Sequence, residues 1–256
     1  MPTKPFFDGP LPRVFAHRGF AAPGGAVVEN TLPAFAAALA LGATHIETDV
    51  HASNDGVVII SHDPDLSRLT GSSDRVSSRS LAELRQLELG PGATFSSLAE
   101  ALDTFPHAFF NIDIKSADAV APTVAAVRAV GAADRVLVTS FSEARRLGAV
   151  RALGEVATSA SASRFLRALV AGKLGLSGVL EGALASVDAI QVPEKALSLA
   201  VTTERFITQV HEAGVEIHVW TINDAENMNR LLDLGIDGIV TDRTDIAMDV
   251  LGSRSP

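Results

Sequence analysis

Ile46-Glu47-Thr48-Asp49-Val50-His51-Ala52-Ser53-Asn54-Asp55-Gly56-Val57-Val58-Ile59-Ile60-Ser61-His62 is the stretch on which the fold turns. It holds two strand candidates, Ile46–Val50 and Val57–Ser61, with too few residues between them for a crossover helix, which needs about a dozen. Asn54-Asp55-Gly56 is instead a turn signal. The two runs therefore read as an antiparallel hairpin with its turn near Asp55-Gly56. That register brings His62 roughly opposite Asp49.

Working outward, the other strand candidates are Val14–His17, Phe110–Lys115, Val136–Thr139, Val156–Ser159, Asp188–Val192, Glu216–Thr221 and Ile236–Thr241. Most are continuous apolar runs, as expected of strands buried on both faces of a parallel sheet. Ala/Leu-rich helical segments lie between them: Leu32–Leu41 behind the capping residues Asn30-Thr31, Leu81–Leu87 behind Ser80 and Glu83, then Ser97–Thr104, Ala119–Val130, Ser142–Ala152, Ser163–Lys173, Thr203–Ala213 and Asp224–Leu234. With Val57–Ser61 set aside as a hairpin strand, eight strands remain, each followed by helix. That is the pattern of a (β/α)8 TIM barrel with an extra hairpin strand after the second barrel strand. The rival is an open doubly wound sheet, but neither G-x-G-x-x-G nor a Walker loop is present. No low-complexity linker divides residues 1–256, so a single barrel domain is expected, with 63–105 as a small insertion-like segment. Gly71–Ser80 reads as a surface loop and Gly252–Pro256 as a loose tail.

The chain has 256 residues, 47% of them hydrophobic and 20% charged, which suits one large core and excludes wholesale disorder. Its 21 Lys+Arg against 30 Asp+Glu give a net charge of −9. That argues against nucleic acid as a partner and against a polybasic membrane anchor. The absence of cysteine excludes disulfides, thiolate nucleophiles and Cys-type zinc sites. Met1-Pro2-Thr3-Lys4-Pro5-Phe6-Phe7-Asp8 lacks the charged and apolar regions of a signal peptide, and no run of about 18 apolar residues could span a bilayer. A cytoplasmic location is the expectation.

A barrel of this kind works at the C-terminal ends of its strands. Those positions carry His17, Glu47, Asp49, Asp113, Lys115, Gln191, Trp220 and Asp242, and the hairpin adds His62. Glu47 and Asp49, like Asp113 and Lys115, have the i, i+2 spacing of side chains on one strand face. Paired acids inside an apolar barrel need a cation between them. Three carboxylates without thiols or a histidine cluster form an all-oxygen set, suited to Mg²⁺, Ca²⁺ or Mn²⁺ rather than Zn²⁺. The blander readings are a salt bridge for any single acid, and structural hydrogen bonds for His45, His51, His107, His211 and His218. Lys115 could simply pair with Asp113, Trp220 could fill the barrel mouth, and Asp242 reads as a cap of the last helix.

Ala16-His17-Arg18-Gly19, Glu29-Asn30-Thr31-Leu32-Pro33-Ala34-Phe35, Ile46-Glu47-Thr48-Asp49-Val50, His62-Asp63 and Arg68-Leu69-Thr70-Gly71 resemble segments of the glycerophosphodiester phosphodiesterase family. Asn111-Ile112-Asp113-Ile114-Lys115, Val219-Trp220-Thr221-Ile222-Asn223 and Gly235-Ile236-Asp237-Gly238-Ile239-Val240-Thr241-Asp242-Arg243 resemble its later segments, in the same order. The resemblance runs from about Val14 to Asp245, with little signature in 117–187. It implies a barrel that hydrolyses glycerophosphodiesters to glycerol 3-phosphate and an alcohol. It implies His17 and His62 as acid and base and a divalent cation on Glu47, Asp49 and Asp113. The third acid is usually Glu in that family, so Asp113 is one methylene shorter. Arg18 and Lys115 are candidates to bind the phosphate, and Trp220 to touch substrate. The nucleophile is either water or the substrate's own glycerol hydroxyl.

Two other functions fit the same pattern. One is phospholipase D-type hydrolysis of lysophospholipids, which asks for an exposed apolar rim. Outside its helices, Asp63–Thr104 is mostly polar, which favours a small water-soluble substrate. The other is a non-catalytic phosphate-ester binding protein, toward which only the shortened Asp113 leans.

Overall fold

The computed structural model describes residues 4–254. Eight parallel strands form a nearly closed barrel: β1 Arg13–His17, β2 His45–Ala52, β3 Phe109–Ile114, β4 Val136–Thr139, β5 Ala157–Thr158, β6 Ala189–Val192, β7 Glu216–Val219 and β8 Gly238–Thr241. They pair in the order β5-β4-β3-β2-β1-β8-β7-β6. Between β5 and β6 the ring is joined by a parallel bridge from Ser159 to Ala189 and by the backbone bonds Asp188 N to Thr158 O (2.8 Å) and Ala160 N to Ala189 O (2.9 Å). Every barrel strand is followed by helix, ending with Thr244–Arg254 after β8.

The extra hairpin strand is Val58–Ile60, antiparallel on β2 with Val50 facing Ile60 and Ala52 facing Val58. Its turn closes through Gly56 N to Ser53 O, with Gly56 at φ +76°, a conformation glycine adopts without strain. Ser61 N bonds Asp49 O at 2.9 Å, so His62 lies one residue beyond the position opposite Asp49. The segment after the hairpin has a small core of its own, including Leu66, Val76, Leu84 and Phe95.

Inside the barrel the strands alternate, which the apolar runs concealed. Ile46, Val50, Phe110, Ile112, Val136 and Val138 pack outward with Phe35, Ala38, Leu98 and Leu102 of the surrounding helices. The inward residues at the C-terminal end are polar and line the mouth. At the other end, Phe6 of the short 3₁₀ turn Pro5–Phe7 plugs the floor against Phe15, His45 and Phe109. Arg13 and Glu216 pair bidentately there, at 3.0 and 3.1 Å, and His218 Nε2 bonds the same carboxylate at 3.0 Å. Burial alone would raise the Glu216 pKa, but the bonds from His218 and Arg13 hold it below the ordinary carboxylate value.

Several boundaries depart from expectation. The helix behind the Ser80–Glu83 capping box ends at Leu84 rather than Leu87. Gly71–Ser80 is not only a surface loop: it contains a 3₁₀ turn, Val76–Ser78, whose Val76 is wholly buried. The expected loose tail from Gly252 is helical through Arg254, and Ser255–Pro256 lie outside the described residues, as do Met1–Thr3 of the N-terminal stretch. The helix Ser177–Leu184 was masked by its two glycines, each unfavourable in a helix by about 1 kcal/mol.

His45, 3% exposed, sits in the aromatic floor. Burial, aided by the charge of Arg13, pulls its pKa from 6.5 to about 3. The folded value lies below the unfolded one, so neutral His45 contributes stability above pH 6.5, and that contribution drains away as pH falls toward 3. We expect His45→Gln to flatten the fall of the urea midpoint between about pH 7 and pH 5. An unchanged slope would contradict this burial effect.

Candidate active site

The site is assembled by strand register. His17 pairs with Glu47, Glu47 with Asn111, and Asp49 with Asp113, so neighbouring strands deliver their polar residues side by side. The inward alternation then turns them into one mouth.

The turn after β1 aims Arg18. Arg18 has φ +57° and Gly19 φ +81°. Arg18 N donates to Glu47 O at 2.9 Å and to Glu47 Oε2 at 3.2 Å, and Arg18 O accepts from Asn30 N at 2.8 Å. These bonds hold a conformation unfavourable for a side chain of this size. The guanidinium reaches Glu29 Oε1 through Nη1 at 2.9 Å and lies 3.3 Å from Asp49 Oδ2 through Nε.

The charge balance of the cluster is tight. Lys115 Nζ lies 2.7 Å from both Asp49 Oδ1 and Asp113 Oδ2. Asn30 Nδ2 donates to Asp49 Oδ2 at 3.0 Å. Burial would raise Asp49, but Lys115 and then Arg18 hold it below the ordinary value. Asp113 is raised by burial despite Lys115, and its Oδ1 is buried with no hydrogen-bond partner. Glu47, buried beside Asp49, is pushed up to about 8. The mouth thus holds more carboxylate than its own cations neutralise. Its donors are the hard oxygens that suit Mg²⁺, Ca²⁺ or Mn²⁺. Among the described residues, however, no three acidic or imidazole side chains converge as a ready-made metal site.

Each imidazole is held at Nδ1 by its own aspartate. His17 Nδ1 lies 2.6 Å from Asp242 Oδ1, and its Nε2 is 3.9 Å from Glu47 Oε2. Burial would lower His17, but the bond to Asp242 and the charge of Glu47 outweigh it and raise the pKa above 6.5. His62 Nδ1 lies 2.8 Å from Asp63 Oδ1. Asp63 accepts from Arg68 Nε at 2.5 Å, and Arg68 Nη2 donates to Glu29 at 2.7 Å. The chain Arg18–Glu29–Arg68–Asp63–His62 ties the two sides of the mouth together.

Asp242 corrects an expectation. It does not cap the last helix: its second oxygen accepts from Asn223 Nδ2 at 2.8 Å, and Arg243 N bonds Thr241 Oγ1 instead. Only three dimensions show this role, since 225 residues separate it from His17. His51, read as structural, donates Nε2–H to His62 O at 3.2 Å.

One pocket of about 390 Å³ is lined by His17, Arg18, Glu47, Asp49, His62, Asp113, Lys115 and Trp220, so the structure brings the candidate acid/base, phosphate-binding and cation-binding residues to one place. The same pocket has an apolar wall that reaches the charges, with Lys115 Nζ 5.9 Å from the centre of the Phe141 ring. Trp220 meets Phe141 edge-on at 6.4 Å, Phe165 and Leu166 join them, and Phe141 is 61% exposed.

Fold and site together define a (β/α)8 barrel with a charged pocket at the C-terminal ends of its strands. The family model for the glycerophosphoryl diester phosphodiesterase family matches residues 17–246, and the chain belongs to that family. The Mycobacterium tuberculosis protein named "Probable glycerophosphodiester phosphodiesterase 2" is 38% identical over 240 residues, covering 93% of this chain and 90% of that relative. A glycerophosphodiester phosphodiesterase from Agrobacterium tumefaciens has a similar structure, with TM-score 0.76, 25% identity and coverage of 94% and 99% of the two chains. So has an Oleispira antarctica phosphodiesterase in complex with its product sn-glycerol-3-phosphate, with TM-score 0.77, 24% identity and coverage of 94% and 97%.

The turn at Gly19 offers a test of this construction. A Cβ there would lie 2.7 Å from the Ala34 carbonyl carbon, in a left-handed conformation. Gly19→Ala should cost about 1–3 kcal/mol from the backbone alone, with the clash in addition. The urea midpoint measures this, and an unshifted midpoint would refute the packing argument.

Proposed function

We propose that this chain hydrolyses glycerophosphodiesters to glycerol 3-phosphate and an alcohol, using a divalent cation and two histidines. The observation that carries the reading is the pair of imidazoles, each anchored at Nδ1 by an aspartate, lining one pocket with three carboxylates and two cations. We further propose that it acts in the cytoplasm as one barrel domain with 63–105 as an insertion. No helix among the described residues is long and apolar enough to cross a membrane.

A phosphodiester monoanion repels nucleophiles, so the site must first neutralise it. Arg18 offers a planar fork and Lys115 a point charge to the non-bridging oxygens. Glu47, Asp49 and Asp113 would hold Mg²⁺, Ca²⁺ or Mn²⁺; the unpartnered Asp113 Oδ1 and the raised Glu47 support this assignment. When bound, the ion would withdraw charge from a phosphoryl oxygen. Asp242 and Asp63 fix their imidazoles by Nδ1 and leave Nε2 for chemistry. One imidazole takes a proton from the attacking hydroxyl as its oxygen bonds phosphorus. The other delivers a proton to the alcohol oxygen as the P–O bond breaks. Each such group is typically worth about 10²–10⁴ in rate.

A second reading is favoured by one observation: the wall of Phe141, Phe165, Leu166 and Trp220 could receive an acyl chain, as phospholipase D-type hydrolysis of a lysophospholipid requires. Comparing glycerophosphocholine with its acylated counterpart separates the two, because faster turnover of the acylated form would favour the lipid substrate.

His17→Ala and His62→Ala should each lower glycerol 3-phosphate release from glycerophosphocholine by at least about 10² while the circular dichroism spectrum is retained. EDTA should abolish release, and added Mg²⁺, Ca²⁺ or Mn²⁺ should restore it. Full turnover by either variant would reject the acid/base assignment, and turnover indifferent to EDTA would reject the cation.

A further inference from the structure

A second cleft of about 360 Å³ adjoins the main pocket, and His62 and Lys115 line both. His51 and Ala52 of β2 form part of its wall, and it also holds Arg75 and Asp118, two charged residues that the hydrolytic chemistry does not use. Arg75 projects from the insertion, where its backbone is fixed by a bridge to Asp65 and by the buried neighbour Val76. Asp118 lies in the loop after β3 and is exposed. Ser116 of the same loop has its Oγ buried without a hydrogen-bond partner.

The charges of this cleft are conspicuous for what they do not do. Arg68, Arg79 and Arg85 in the same insertion are all ion-paired. Among the described residues, neither the Arg75 guanidinium nor the Asp118 carboxylate makes a side-chain hydrogen bond or a close ion pair, although Asp65 feels the charge of Arg75 and His51 that of Asp118. Two opposite charges therefore line one cleft without an ion pair between them, beside the Lys115 ammonium. A ligand that fits carries a carboxylate for Arg75 and an ammonium for Asp118, with the Ser116 hydroxyl as a further polar contact.

Its position identifies which part of the substrate reaches it. His62 stands at the junction of the two cavities, so a diester whose phosphorus lies beside His62 extends one arm into each. We propose that the second cleft is a head-group subsite that takes the alcohol arm of the diester, and that it fits an amino-acid alcohol, the chemistry of a serine head group. This deepens the proposed hydrolysis and rests on it. Arg75 and Asp118 are specificity-determining residues, remote from the bond that breaks.

The test compares sn-glycero-3-phosphoserine, -phosphoethanolamine and -phosphoglycerol on the purified full chain, with kcat/KM for the glycerol diester as the reference. The serine diester is expected to be the best substrate. Arg75→Ala should lower the serine-to-glycerol ratio about tenfold and leave the ethanolamine-to-glycerol ratio in place. Asp118→Asn should lower both ratios. Ratios unmoved by either substitution, or a uniform fall for all three diesters, would overturn the subsite while the hydrolytic reading stands. Failure of the unsubstituted chain to cleave any of the three would overturn both.

Discussion

The structure depends on one electrostatic constraint: three carboxylates, Glu47, Asp49 and Asp113, share the low-dielectric mouth of a barrel. Separation would relieve them, but strand register forbids it, because Asp49 and Asp113 are direct neighbours across the β2–β3 ladder. Burial and mutual repulsion therefore fall on the group with the weakest compensation, Glu47, while Asp49 takes Lys115, Arg18 and Asn30. Much of the surrounding architecture follows. The left-handed Arg18 points a guanidinium at Asp49, and Asn30, itself at φ +56°, completes the contact. The strain of these two residues is balanced by the charges they serve.

What the sequence reveals of this arrangement is set by distance along the chain. The hairpin could be read because a short gap and Asn54-Asp55-Gly56 leave no alternative, and with it the count of eight barrel strands. Glu47, Asp49, Asp113 and Lys115 could be placed because i, i+2 spacing puts side chains on a common face. The resemblance in Ala16-His17-Arg18-Gly19 and His62-Asp63 then singled out the imidazoles. Asp242 could not be placed, because a strand-end aspartate looks the same whether it caps a helix or reaches across the mouth to β1. The alternation inside the barrel was equally hidden, since most outward residues are apolar and the inward floor is aromatic. Tertiary context also overrode local composition at Ser177–Leu184 and at Val76, where glycine and serine suggested loop.

The segment after the hairpin does more than decorate the barrel. Its small core, built on Leu66, Val76, Leu84 and Phe95, gives Arg68 and Asp63 a fixed base from which to hold His62. Surface ion pairs are individually weak, about 0–1 kcal/mol, so the value of this chain of contacts lies in geometry rather than stability. Glu29 accepts from both Arg18 and Arg68, which couples the guanidinium just after β1 to the imidazole of the hairpin.

The seam between β5 and β6 carries a mechanical consequence. In a ring ordered β5-β4-β3-β2-β1-β8-β7-β6, that seam lies half a turn from the β1–β2 junction, where His17 and Glu47 meet. β5 has only two residues in its ladder, so the thinnest stitch of the cylinder is the first place where amide protons should reach solvent. Opening of that seam would leave intact the ladder that sets His17 beside Glu47 on the far side of the ring.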